Sequence, residues 1–202
     1  MTELTAEQHR TKMQRRQEVQ HQRVAERKLE KGLIIINTGD GKGKTTAALG
    51  MVLRSLGHGY KVAIVQFIKG AWEPAEKKVF EMWQDQLVFQ ALGEGFTWET
   101  QDRARDIAAA QAGWAKAKEL IRDPDIRFVL LDEIIIAMRY DYIDVAEVVA
   151  FLKAEKPPLT HVCLTGRGAS EALIEAADLV TEMTLVKHPF RSGIKAQPGV
   201  EF

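Results

Sequence analysis

An α/β fold is what this 202-residue chain predicts: a mostly parallel sheet of about six strands with helices on both faces, preceded by an N-terminal helical arm. Three observations carry that prediction. Short, nearly continuous apolar runs alternate with longer helix-forming stretches from residue 32 onward, glycine and proline fall at the joints, and the first apolar run passes straight into a glycine-rich turn that opens a helix. Strands that are apolar on both sides need cover on both sides, which a parallel sheet with crossover helices supplies. The composition, 46% hydrophobic and 28% charged, suits one such domain with a sizeable core.

The arm comes first. Thr5 and Gln8 have the spacing of a capping box, and residues 6–31 contain neither glycine nor proline, so a long helix is expected there. Its large apolar residues, Met13, Val19, Val24 and Leu29, are too sparse for a core-facing stripe. Basic residues outnumber acidic ones eight to five over the first 31 positions, again the pattern of a solvated face. Residues 1–31 are therefore set apart from an α/β domain over 32–202. Two roles stay open for the arm: a solvated tail, or a lid that reaches a partner subunit.

Strands are expected at 33–37, 62–67, 87–91, 128–132, 161–165 and 179–185, and helices at 44–56, 75–84, 102–122, 144–156 and 170–177. Gly57 and Gly59 stop the first of these helices, Pro124 precedes the fourth strand, and Pro157-Pro158 precede the fifth. In such a sheet ligands bind beyond the carboxyl ends of the strands.

The first strand ends in Thr38-Gly39-Asp40-Gly41-Lys42-Gly43-Lys44-Thr45-Thr46. A turn this rich in glycine can aim its backbone N–H groups at phosphate oxygens, and the helix that follows presents the positive end of its dipole to the same point. Lys44 adds a full charge, and the Thr45 hydroxyl is placed to ligate a Mg²⁺ held by the phosphates. Thr38 occupies the first glycine position of the usual GxxxxGK[ST] pattern, while the Gly43-Lys44-Thr45 core is intact. A dinucleotide fingerprint would place a glycine at position 44 and an acid about 20 residues further on; position 44 is Lys and the next strand, residues 61–67, holds no acid. The sheet is accordingly expected to be of the P-loop NTPase type, with Thr38, Gly39, Gly41, Lys42, Gly43, Lys44, Thr45 and Thr46 around the nucleotide.

Other strand ends add to the site. Phe128-Val129-Leu130-Leu131 runs into Asp132 and Glu133, where a carboxylate from a neighbouring strand can hold Mg²⁺; periodicity does not distinguish between the two acids. Lys69 follows the second strand as either a ligand contact or a solvated lysine, and Arg167 stands between two glycines that let the backbone approach a ligand. After the third strand, Phe96 and Trp98 lie in a glycine-flexed loop, as a plug for a small satellite core or as an apolar wall for a flat, bulky ligand.

Composition excludes several classes of partner. Lysine plus arginine and aspartate plus glutamate both total 28, so no global field draws the chain to nucleic acid or to an anionic membrane. The single cysteine, Cys163, excludes an intrachain disulfide and fits a reducing compartment. No apolar run is long enough to span a bilayer and the amino terminus has no signal-like segment, so a cytoplasmic location is expected.

Taken together, the chain resembles the P-loop ATP:corrinoid adenosyltransferases. The resemblance runs from about residue 31 to 202 and rests on the loop at 38–48, Gly95-Phe96-Thr97-Trp98, Leu131-Asp132-Glu133, Leu164-Thr165-Gly166-Arg167-Gly168, and a tail containing Lys187-His188-Pro189-Phe190 and Gly193-Ile194-Lys195-Ala196-Gln197. Thr38 is shared with the family, whereas Asp40 departs from it, since relatives often carry Asn there. The resemblance implies transfer of the 5′-deoxyadenosyl group from ATP to the Co(I) of a corrinoid, with ATP reversed in the loop and triphosphate leaving. The acceptor is cob(I)alamin or an earlier form such as cob(I)yrinic acid a,c-diamide. It also implies that Phe96 and Trp98 wall the lower face of the corrin, expelling the axial ligand from Co(II) and easing its reduction. An electron donor such as a flavoprotein and a homodimer, with the arm as a flap, are further implications. Two rivals remain: a phosphotransferase or ATP hydrolase on the same fold, and a nonenzymatic nucleotide-binding corrinoid carrier.

Overall fold

The structure is a computed structural model that describes residues 5–68, 75–91 and 102–200. The chain separates into two compact units, Met1–Lys31 and Gly32–Phe202.

The first unit is a helix, α1 (Ala6–Ala25), and its entry is the capping box that the sequence predicts. Gln8 N–H donates to Thr5 Oγ1 at 3.3 Å and Thr5 N–H donates to Gln8 Oε1 at 3.0 Å, satisfying two of the end groups a helix leaves unpaired. No residue of α1 is buried. The helix stops at Ala25, short of the expected 31.

In the second unit the chain runs β1 (Ile34–Thr38), α2 (Lys44–Gly57), β2 (Lys61–Gln66), α3 (Ala75–Phe80), β3 (Leu87–Ala91), α4 (Arg103–Arg122) and β4 (Ile126–Asp132). It continues through α5 (Ile134–Arg139), α6 (Val145–Glu155), β5 (His161–Thr165), α7 (Glu171–Ala176) and β6 (Leu179–Glu182). Short 3₁₀ turns lie after α3 at Glu81–Trp83 and after β6 at Pro189–Ser192. The six strands form one sheet in the order β3-β2-β4-β5-β1-β6, and every pairing is parallel.

Alternation along the strands sorts the core into two layers. Ile35, Ile64, Leu130 and Cys163 pack with Ala48, Val52 and Leu56 of α2 on one side. Ile36, Val65, Val129, Leu131 and Leu164 pack with Trp114 and Ile121 of α4 and Phe151 of α6 on the other. Each fully buried aliphatic or aromatic side chain contributes about 1.5–3 kcal/mol, so both layers are needed to offset the entropy of ordering the sheet. Asp102 caps α4 and Asp144 caps α6 by accepting backbone N–H bonds, which fixes where these two covers begin.

Further elements differ from expectation, and α3 gives way to its 3₁₀ turn after Phe80 where a helix to 84 was expected. β6 ends at Glu182 instead of 185 and is exposed throughout, as an edge strand with β1 as its neighbour. α5 is a helix that periodicity missed, since Ile134-Ile135-Ile136 is a β-branched run with low helix propensity. It forms because Ile134, Ile135, Ala137 and Met138 are all buried, so tertiary packing overrides the local preference. Among the described residues, no helix is long and apolar enough to cross a membrane.

Candidate active site

The site is built at the carboxyl ends of β1, β4 and β5, which lie side by side except that β5 separates the other two. β1 delivers the glycine-rich loop. Gly39 adopts φ +95°, and a Cβ there would stand 2.4 Å from the Met183 carbonyl oxygen, so the turn admits no side chain. Gly41 N–H donates to that same carbonyl at 2.7 Å, and Met183 N–H donates to the Thr38 carbonyl at 2.8 Å. The segment leaving β6 thus clamps the loop from the edge of the sheet.

Lys44 opens α2 and is buried. Its Nζ donates to the carbonyls of Gly39 at 2.9 Å and Gly41 at 2.7 Å, so the ammonium is folded against its own loop. Burial lowers its pKa from the ordinary lysine range, with the nearby Glu133 acting in the opposite direction. Asn37, buried at the end of β1, donates from Nδ2 to the Lys44 carbonyl at 3.1 Å and ties the strand to the first turn of the helix.

Thr45, the next residue, reaches across to β4. Its Oγ1 donates to Asp132 Oδ1 at 2.9 Å, and Thr165 Oγ1 donates to the same oxygen at 2.8 Å. Gln66 at the end of β2 adds a longer bond of 3.4 Å from Nε2 to Asp132 Oδ2. Burial raises the Asp132 pKa above the ordinary carboxylate value, against the opposing effect of these three donors. Glu133 follows in the left-handed region at φ 61°, with its N–H donating to Thr165 Oγ1 at 2.8 Å. Burial, and after it the Asp132 carboxylate, push the Glu133 carboxyl up to about 7.

The sequence-predicted residues therefore separate by environment. Lys44, Thr45, Asp132 and Glu133 converge, with Asp132 the acid in contact with Thr45. Arg167 is exposed, between Gly166 and Gly168, both of positive φ, and its charge acts on Lys44 and Glu133. Thr38 is buried and its Oγ1 accepts the Ala169 N–H at 3.2 Å, tying β1 to the turn that carries Arg167. Gly43 caps α2 at φ +107°, while Asp40, Lys42 and Thr46 are exposed around the loop. Lys69, Phe96 and Trp98 lie outside the described residues.

Asn37, Gln66 and Thr165 are the contributors that motif reading did not single out. Each is a polar residue at or next to the last position of an apolar strand, which marks position but not partner. Chemically the cluster offers a cation, loop amides and hard oxygen donors, a set suited to a polyphosphate with a divalent ion.

Comparison with known proteins gives the same direction. Residues 30–202 match the family described as ATP:corrinoid adenosyltransferase BtuR/CobO/CobP, and residues 1–24 match Cob(I)alamin adenosyltransferase N terminal. The corrinoid adenosyltransferase of Sinorhizobium sp. is 63% identical over 195 residues, covering 96% of this chain and 91% of the relative. That of Pseudomonas aeruginosa is 50% identical over 194 residues, covering 96% and 95%, and that of Escherichia coli K12 is 43% identical over 199 residues, covering 98% and 100%. Among solved structures, the flagellar accessory protein FlaH of Methanocaldococcus jannaschii superposes with a TM-score of 0.52 at 13% identity, over 76% of this chain and 72% of that one, a likeness of fold alone.

Proposed function

The chain belongs to the ATP:corrinoid adenosyltransferase family, and from that premise we propose how its residues divide the transfer of the 5′-deoxyadenosyl group of ATP to the cobalt of a corrinoid in adenosylcobalamin biosynthesis. The Co(I) electron pair of the substrate attacks C5′, the C5′–O bond breaks, and its electrons leave on the triphosphate. Negative charge therefore grows at the phosphate end, and the loop N–H groups, the α2 dipole and Lys44 are the groups that stabilise it. To do so Lys44 Nζ exchanges its bonds to the Gly39 and Gly41 carbonyls for phosphate oxygens. Arg167, on its glycine-flanked turn, is assigned to the same anion.

The observation that carries this reading is the contact of Thr45 with Asp132 beside the buried Lys44. Because the Thr45 hydroxyl spends its hydrogen on Asp132, its oxygen lone pairs remain available, and among the described residues the buried carboxylate is met by hydroxyl and amide donors. That donor set fits Mg²⁺, which Thr45 would hold directly, with Asp132 and Glu133 as the neighbouring carboxylates. Bound there, the ion would neutralise developing charge on the triphosphate.

Phe96 and Trp98 are assigned to the corrin face, a homodimer with α1 as a flap is the proposed assembly, and a flavoprotein is the proposed type of electron donor. Sedimentation at about twice the 22.7 kDa of one chain supports the dimer; a single-chain mass argues against it.

Product analysis tests the function. With ATP, Mg²⁺ and chemically reduced corrinoid, one triphosphate should appear per Co(I) consumed, whereas ADP or orthophosphate would identify a phosphotransferase or hydrolase. Lys44→Ala and Thr45→Ala should each lose on the order of 3 kcal/mol of transition-state stabilisation, about a hundredfold in rate, with any reduced corrinoid. Near-parent rates in either variant at saturating ATP and Mg²⁺ would remove the proposed phosphate site.

A further inference from the structure

We propose that Thr165 is a positioning residue for the cation site: its single hydroxyl holds Asp132 and the Glu133 turn in the arrangement that Thr45 needs. The inference rests on the Mg²⁺ reading above. Thr165 closes β5 and is fully buried, so its hydroxyl has no water to turn to and must find both its partners in the protein. It finds two that matter. Thr165 Oγ1 donates to Asp132 Oδ1 at 2.8 Å and accepts the Glu133 N–H at 2.8 Å.

Each bond fixes a different degree of freedom. The first restrains rotation of the Asp132 carboxylate, whose Oδ1 also accepts from Thr45 at 2.9 Å; among the described residues the other carboxylate oxygen has only the 3.4 Å contact from Gln66. Of the two hydroxyls on Oδ1, Thr45 is itself the proposed ligand, which leaves Thr165 as the donor whose sole task is orientation. The second bond anchors the peptide that enters Glu133, a residue with positive φ and a Cβ, where the chain must be held against its own preference as β4 turns into α5. β5 can supply both because it lies between β4 and β1, and Thr165 is paired in register with Asn37 at the root of the phosphate loop. Partners of this kind behind a ligand set its orientation, and their removal typically weakens metal binding by about 10–100-fold.

The test is equilibrium binding of ATP to the full-length protein without corrinoid, titrated calorimetrically over a series of Mg²⁺ concentrations. Thr165→Val keeps the shape and loses the hydroxyl; Thr165→Ser keeps the hydroxyl and loses a methyl. Val should raise the Mg²⁺ concentration for half-maximal enhancement of ATP affinity about tenfold while leaving Mg²⁺-free affinity within about twofold, and Ser should retain the parent dependence. If thermal unfolding shows that the Val protein does not fold, Thr165→Ala replaces it, and the Ser result stands by itself: a tenfold shift in Ser overturns the proposal. So does a Val protein with the parent Mg²⁺ dependence, or one losing ATP affinity equally with and without Mg²⁺, which would make Thr165 a packing residue. A parent protein whose ATP affinity ignores Mg²⁺ removes the cation reading itself, and Thr165's role with it.

Discussion

His161 stands at the amino end of β5, on the edge opposite the phosphate loop, and its Nδ1 accepts the Leu33 N–H at 3.1 Å. Only the neutral imidazole can do this. Burial, then the nearby Lys156 and Arg127 cations, hold its pKa below the ordinary 6.5. The folded chain thus binds fewer protons here than the unfolded chain, so the stability that His161 adds is complete above pH 6.5 and is lost as pH falls through the folded value. His161→Gln, which keeps an acceptor without a titrating group, should flatten the fall in thermal midpoint relative to the parent over that window; parallel curves would remove His161 from the acid response. At the same scale, Phe96→Ala and Trp98→Ala should cripple adenosylation that starts from Co(II) and a mild reductant, yet retain much of the rate when Co(I) is supplied ready-made. Equal losses from both starting states would make them ordinary binding or packing residues. That Lys44, Thr45 and the Asp132-Glu133 pair lie together was legible because a glycine-rich loop and an acid-ended strand meet at the same end of the sheet, whereas which acid touches Thr45 was not. Thr165 and Asn37 were not, because a buried polar residue at a strand end declares its place and not what it will touch.

Elements were legible wherever pattern and packing agree. β3 and β5 occupy the residues expected of them, and α2 begins at Lys44 because Gly43 turns through φ +107° just ahead of it. Agreement failed at α5, where a β-branched run is made helical by burial of four of its six residues, information that a local pattern does not contain. α1 is the reverse case: its cap and composition identify a helix without any buried residue. Deleting residues 1–31 should therefore leave a domain that unfolds cooperatively near the parent midpoint, while corrinoid affinity or turnover drops if the arm serves as a flap. A truncated chain without a cooperative transition contradicts the first expectation, and unchanged kinetics the second.

On the scale of the whole molecule, equal numbers of acidic and basic residues leave no net charge to draw a triphosphate from a distance, so the attraction proposed for it must be local, assigned to the loop amides, Lys44 and Arg167. The fold class could be read from the alternation of apolar runs because a sheet buried on both faces permits little else, whereas strand order required the structure, since consecutive strands here are often not neighbours. That order has a thermodynamic consequence. In β3-β2-β4-β5-β1 the third strand lies four steps from the first, about 19 Å at ~4.8 Å per step, so the two ends of the row share no direct contact. Perturbations placed at the two ends should be independent. Gly41→Ala pushes a Cβ to 2.7 Å from the Met183 carbonyl, and Phe89→Ala thins the half-buried edge at β3. The unfolding free energy lost by the double variant should equal the sum of the single losses within about 0.5 kcal/mol, and a larger deviation would mean that the sheet transmits strain across its full width.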